Sequence, residues 1–192
     1  AHCYSQTRAG RDAHIVQKFR HAIEDFGIAI DVWSAEAAPG CVEFNFPGRP
    51  ALQAADEAFL FKHALREIAA QNDLFVTFLP KTTAAGFGNG VHINHSLWRG
   101  DTPAFYDESA PDKRSNILRQ ACAGELATLP AFTPLYCPTP TSYRRFTPYY
   151  SPGYLVGWAY DNKSVALRTV VATPEECRIE QRTGGSDANP YL

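Results

Sequence analysis

In the run Arg178-Ile179-Glu180-Gln181-Arg182, an extended backbone would project Arg178, Glu180 and Arg182 from one side, because successive side chains of a strand alternate faces. One carboxylate between two guanidiniums suits a site for a metal ion and a nucleotide. Taken alone, the same pattern is more commonly a solvated strand face with cross-strand ion pairs. Glu36 and Glu43 bracket the turn Ala37-Ala38-Pro39-Gly40. Two carboxylates facing each other across a tight turn repel unless something positive lies between them, and Mg2+ or Mn2+ with oxygen ligands meets that need. Two exposed glutamates near a turn are the plainer alternative. Arg145, Arg168 and Lys163 follow. An arginine fork pairs bidentately with carboxylate or phosphate, a lysine keeps the charge without the fork, and either, taken singly, is more often surface charge. His92 stands just beyond the glycine-rich Gly86-Phe87-Gly88-Asn89-Gly90; a lone histidine on a strand is more often structural.

These side chains need elements to position them. Ile15, Phe19, Ile23 (or Ala22) and Phe26 recur at helical spacing over residues 11–26, and Gly27 is a natural terminator. Residues 28–33 and 41–46 read as strands joined through the Pro-Gly turn. Residues 53–71 read as a second helix with Phe59, Leu60, His63, Ala64 and Ile68 on its inner side, and residues 74–79 as a strand. Residues 86–90 form a loop into a strand at 91–98, and a third helix is expected over residues 114–129. The stretch 130–153 holds six prolines, so it is expected to be an ordered loop. Strands at 154–160, 165–170 and 178–182 complete the set. Strands cluster without a crossover helix after each one, which predicts an α+β fold.

Composition narrows the function classes. At 192 residues, 45% hydrophobic, the chain has enough apolar material for a core. A net charge of −2 without a basic stripe gives no electrostatic case for nucleic acid or an anionic membrane. Apolar stretches stop well short of the roughly 18 residues that span a bilayer, and no signal-like N-terminus is visible. A cytoplasmic location is the expectation. Five cysteines, widely spaced and without a C-x-x-C pair, argue against a disulfide framework and a zinc knuckle.

Six segments in order resemble the glutamine synthetase superfamily, over nearly the whole chain. Glu36-Ala37-Ala38-Pro39-Gly40-Cys41-Val42-Glu43 resembles E-x-A-P-G-Q-x-E, with departures at Cys41 and Val42. Gly88-Asn89-Gly90-Val91-His92-Ile93-Asn94-His95-Ser96-Leu97-Trp98 resembles the glycine loop and its G-x-H-x-H-x-S-L-W strand, with Asn94 replacing the second histidine and His95 facing the other way. Thr141-Ser142-Tyr143-Arg144-Arg145 resembles N-S-Y-[KR]-R. Trp158-Ala159-Tyr160-Asp161-Asn162-Lys163-Ser164-Val165-Ala166-Leu167-Arg168 resembles W-x-x-D-N-R-[ST]-x-x-L-R, with lysine at 163 for arginine. The run 178–182 and the stretch 185–192 resemble the family's C-terminal active-site signature.

The resemblance implies a catalytic-domain core with a curved antiparallel sheet flanked by helices, partial over residues 1–192. It implies Mg2+ or Mn2+ held by Glu36, Glu43 and His92, with Glu180 on a second ion. ATP would meet Asn94, Ser96, Arg168 and Arg178, and glutamate would meet Gly88, Arg145 and Arg182. Arg145 and Lys163 would act on the transferring group. The implied reaction is phosphorylation of the glutamate γ-carboxylate by ATP, then displacement of phosphate by an amine. The family's ammonia users carry a glutamate on the loop corresponding to Thr147-Pro148-Tyr149-Tyr150-Ser151-Pro152-Gly153, which here has no acid. W-x-x-D-N looks more like the γ-glutamylpolyamine synthetase branch. An organic amine is therefore expected, with ammonia, or a catalytically reduced member like the lens proteins, as alternatives. The chain lacks methionine and stops at Ala188-Asn189-Pro190-Tyr191-Leu192, where relatives continue into a helix. It reads as an internal piece, expected to be inactive alone and active in a homo-oligomeric ring.

Overall fold

The structure, a computed structural model, describes residues 3–148 and 153–192. The chain divides into two compact units, Ala1–Phe78 with Asn189–Leu192, and Leu79–Ala188.

In the first unit α1 (Gln6–Asp25) opens on Ser5, whose hydroxyl accepts the Arg8 N–H at 3.4 Å and satisfies one donor of the first turn. It ends before Gly27, at φ +95°, a conformation costly for any side chain with a Cβ. The hairpin β1 (Val32–Ala35) and β2 (Val42–Asn45) pairs antiparallel, with Ser34 opposite Glu43 and Ala35 opposite Val42. Helix α2 (Ala51–Ala70) buries Phe61, Leu65 and Ala69, which pack with Phe19, Ile23, Ile28 and Ile30. Phe61 meets Phe44, Phe46 and Phe78 edge-on, the geometry the ring quadrupoles favour.

Three expectations fail in this unit. Residues 28–31 form no strand, since β1 starts only at Val32. The inward stripe of α2 is Phe61-Leu65-Ala69, with Ala64 and Ile68 flanking it, whereas Phe59, Leu60 and His63 are exposed. Several apolar stripes compete on a helix this rich in apolar residues, and contact with α1 selects among them. Residues 74–79 form no strand; Phe75 is 90% exposed, while Val76 and Phe78 pack on the core. Leu74 and Phe75 are both exposed and Val76, Thr77 and Phe78 are all half-buried, so the segment lacks the two-residue alternation of a one-sided strand.

The second unit is built on a four-stranded sheet in the order β3 (Ile93–His95), β8 (Arg178–Gln181), β7 (Val165–Val170), β6 (Leu155–Tyr160). The pairs β3–β8 and β8–β7 are antiparallel, while β6 lies parallel to β7 at the edge, so the sheet is mixed within an α+β unit. A small hairpin, β4 (Trp98–Arg99) and β5 (Thr102–Pro103), ends the stretch expected as one strand over 91–98. Helix α3 (Asn116–Tyr136) covers one sheet face, burying Leu118 and Cys122 against Phe105, Leu167, Cys177 and Ile179. It runs through Pro130 and Pro134, and α4 (Pro140–Tyr143) follows. The expected loop therefore begins as helix. Each proline removes one helical N–H, and the Thr133 hydroxyl donates to the Leu129 carbonyl at 2.7 Å while Leu129 stays buried. Packing along that face outweighs local propensity. Residues 149–152 of the expected loop lie outside the described residues.

Candidate active site

Register decides which side chains share a surface. Asn94 stands opposite Glu180, and Glu180 opposite Arg168, so β3, β8 and β7 present these three from one face. The opposite face carries Ile179 and Leu167 against α3. His95 belongs to that second face: its Nε2 lies 2.9 Å from Glu125 on α3, and its ring meets Phe105 edge-on. A polar face and an apolar face thus follow from the two-residue period.

On the polar face Glu180 is the centre. Only 7% exposed, it accepts from Arg182 Nη1 at 2.6 Å and Arg168 Nη1 at 3.0 Å, both on Oε2. His92 Nδ1 lies 3.3 Å from Oε1. Burial pushes the Glu180 carboxyl upward, but the His92 hydrogen bond and the Arg182 guanidinium overcome it and hold it well below the usual carboxylate range. Burial lowers His92, and the Arg182 and Arg145 charges add to that against the opposing pull of Glu180. His92 Nε2 is buried without a hydrogen-bond partner. Arg168 also donates through Nε, at 2.8 Å, and Nη2 to Asp161 Oδ1. Burial lowers Arg168, and the bonds to Asp161 and Glu180 reverse that and raise it. Arg178 donates from Nε to Asn94 Oδ1 at 3.0 Å and from Nη1 to the Glu176 carbonyl. Ser96 accepts from Trp98 Nε1 at 2.9 Å. Lys163 offers its carbonyl to Arg182 Nε at 3.2 Å, and its own side chain is exposed.

Arg145 lies deeper than the sequence suggests. It is 0% exposed and donates from Nη2 to the Thr183 and Arg182 carbonyls, with Nε and Nη1 buried and unpartnered. The glycine loop makes room for it. A Cβ on Gly88 would sit 2.4 Å from Arg145 Cγ and 2.8 Å from the Pro80 carbonyl, and one on Gly90 would lie 3.0 Å from Arg145 Nη1. The loop is fastened to the chain beyond β8 by Val91 N–H to Gly184 O at 3.0 Å and Ser186 N–H to Asn89 O at 3.3 Å. Asp187 escaped the sequence reading. Its Oδ2 accepts from the Thr139 and Ser142 hydroxyls, both at 2.8 Å, tying α4 to the end of the unit. The hydroxyls of Thr139-Pro140-Thr141-Ser142 were the available signal.

In the first unit, Glu36 Oε2 accepts from the Ala37 N–H at 3.0 Å and the Cys3 thiol at 3.5 Å, and the Glu36 N–H reaches the Cys41 carbonyl at 2.9 Å. Burial pushes the Glu36 carboxyl upward; hydrogen bonds from Ala37, Glu43, Cys3 and Tyr4 outweigh it and bring it below its ordinary value. In the hairpin Glu43 stands opposite Ser34, two residues from Glu36, so the two carboxylates are diagonal neighbours. Arg8 holds the turn through the Glu36 and Ala38 carbonyls at 2.5 and 2.6 Å.

Among the described residues, neither unit alone gathers three or more His, Cys, Asp or Glu side chains for a metal. The donor chemistry nevertheless fits Mg2+ or Mn2+. Each unit offers one pair, Glu36 with Glu43 and His92 with Glu180, and the buried Nε2 of His92 lacks a partner. Such ions commonly take one or two protein ligands plus water and phosphate oxygens.

The comparisons with known proteins agree with this architecture. The model of the glutamine synthetase catalytic domain matches residues 1–192, and the chain belongs to the glutamine synthetase family. It is 32% identical over 192 residues to a glutamate–isopropylamine ligase of a Pseudomonas species, covering 100% of this chain and 42% of that protein. A glutamine synthetase of Methanocaldococcus jannaschii is 35% identical over 175 residues, 89% of this chain and 38% of that one. A gamma-glutamylethanolamide synthetase of Streptomyces coelicolor is 34% identical over 189 residues, 98% of this chain and 40% of that one. The chain spans about two-fifths of the length of these relatives. Among the described residues no helix is long and apolar enough to cross a membrane.

Proposed function

We propose that the protein carrying this chain is an ATP-dependent carboxylate–amine ligase that forms a γ-glutamyl amide, with an organic amine or polyamine as acceptor. The observation that carries the reading is Glu180, ionised between Arg168, Arg182 and His92 on the polar sheet face of a glutamine synthetase family chain. In the first step a γ-carboxylate oxygen of glutamate bonds to the γ-phosphorus of ATP, and the bond to ADP breaks. In the second the amine nitrogen bonds to the acyl carbon, phosphate leaves with the C–O electrons, and the nitrogen loses a proton.

Arg168 and Arg178 would hold phosphate oxygens, with Asn94 and Ser96 beside them. Lys163 would oppose charge on the transferring phosphoryl group. Arg182 and Arg145, with Gly88, would shape the glutamate pocket. Glu36 with Glu43, and His92 with Glu180, would hold Mg2+ or Mn2+, which when bound neutralises phosphate charge. The acceptor assignment rests on the acid-free stretch 147–153: a carboxylate that binds and deprotonates ammonium has no substitute among hydroxyls and prolines. Two relatives named for isopropylamine and ethanolamide chemistry support it. A cytoplasmic homo-oligomeric ring is part of the same proposal.

Phosphate release from the full-length protein with ATP, Mg2+, glutamate and a panel of amines tests this. Turnover that follows an organic amine supports it. Ammonia as the preferred acceptor overturns the acceptor assignment, and no turnover with any amine points to a catalytically reduced member.

A further inference from the structure

We propose that Asp161 is a positioning residue that fixes the Arg168 guanidinium and divides its charge between two carboxylates, so that Glu180 is not left to bind Arg168 alone. The inference rests on the proposed contact between Arg168 and nucleotide phosphate. Arg168 is held on two edges: Nε and Nη2 face Asp161 Oδ1, and Nη1 faces Glu180 Oε2 at 3.0 Å. Arg182 shares that same Oε2 at 2.6 Å, leaving Oε1 to His92. One oxygen of Glu180 thus serves two cations already. A guanidinium gripped on opposite edges keeps one orientation, whereas one gripped through a single nitrogen swings.

The backbone is arranged for this contact. Asp161 has φ +46°, the left-handed region that aspartate tolerates better than most residues. Its N–H bonds the Thr169 carbonyl at 3.0 Å, and the next side chain, Asn162, accepts the Ser164 N–H at 2.8 Å, closing the turn. Charge is balanced as well: Arg168 and Arg182 meet Glu180 and Asp161. Removing the Asp161 charge leaves two guanidiniums on one carboxylate oxygen, and Arg168, the more exposed of the two at 18% against 6%, is the one free to move outward. The Asp161 side chain is itself 56% exposed, so its loss leaves no cavity.

The full-length protein bearing Asp161→Asn or Asp161→Glu tests the assignment. Crystals of the nucleotide-free Asp161→Asn protein are expected to show Arg168 displaced from its place between the two carboxylates. Calorimetry with a non-hydrolysable ATP analogue should show about tenfold weaker binding for Asp161→Asn and at most about threefold for Asp161→Glu, at unchanged melting temperature. An Arg168 that keeps its place in Asp161→Asn, or analogue binding equal to wild type, overturns the proposal. A lowered melting temperature in both variants also overturns it, by making Asp161 a plain structural residue. Should the unaltered protein bind no analogue, the nucleotide reading fails, and the displacement of Arg168 alone then decides the role of Asp161.

Discussion

Glu180 takes two guanidiniums and one imidazole nitrogen within 3.3 Å, so its removal acts on stability and chemistry together. Glu180→Ala leaves Arg182, 6% exposed, without its carboxylate. Breaking a buried pair from one side costs about 3–5 kcal/mol, and a urea melt of the variant should show a loss of that order. Amide formation in the full-length protein is expected to vanish in the same variant, because the neighbouring Asp161 already holds Arg168 and the charge proposed for the metal ion is lost. Glu180→Gln separates the two effects: it keeps an acceptor for the arginines and should recover part of the stability while leaving turnover abolished.

At the scale of elements, the glycine loop and the helices make opposite demands on the same residue type. Gly88→Ala would drive a methyl into Arg145 Cγ and the Pro80 carbonyl, and since Arg145 is wholly buried the loop must shift. Overpacking of this kind costs about 1–3 kcal/mol, readable as a lower denaturation midpoint. Gly10 in α1 and Gly124 in α3 have nothing within 4 Å of an added Cβ. Alanine there should stabilise by roughly 0.5–1 kcal/mol through helix propensity alone. Helix α3 also predicts a pH response. Burial pushes the Cys122 thiol up to about 12, so the folded chain holds that proton more tightly than the unfolded one. Its contribution is complete below the ordinary thiol value of about 8.5 and is lost as pH rises from there toward 12. Alkaline urea melts should therefore show a falling midpoint, less steep in Cys122→Ala after allowance for its lower baseline. Alkylation at neutral pH should label Cys3, which is exposed, and spare Cys122, Cys137 and Cys177 until the chain unfolds.

For the whole molecule, the expectation is that this 192-residue chain made alone gives no amine-dependent phosphate release, because it spans about two-fifths of its relatives. Leu155 and Val156 lie exposed on β6, the strand that closes one side of the sheet. An apolar edge of that kind invites association, so light scattering of the isolated chain should show concentration-dependent aggregates, and the full-length protein a defined oligomer. Sustained turnover by the 192-residue chain would show that it carries a complete site.

The two-residue period of the strands made the polar face legible: that Glu180 shares a side with Arg178 and Arg182, and that Asn94 and His95 part company, follows from alternation alone. The register beside β3 and β7, the pairing of Arg168 with Asp161, and the burial of Arg145 were not legible, because they depend on which strands become neighbours. Local rules also misjudged α2 and α3. Phe59 and Leu60 have the same helical spacing as the residues that are buried, and Pro130 and Pro134 break hydrogen bonds that the packing of Leu129 and its neighbours outweighs. By itself the sequence determined the family, the α+β class, and the residue types able to hold phosphate, carboxylate and a divalent ion, since motif order and side-chain chemistry are local properties. Only the tertiary structure decided which cation meets which carboxylate and which thiols are shielded, since burial and pairing arise when distant segments exclude water together.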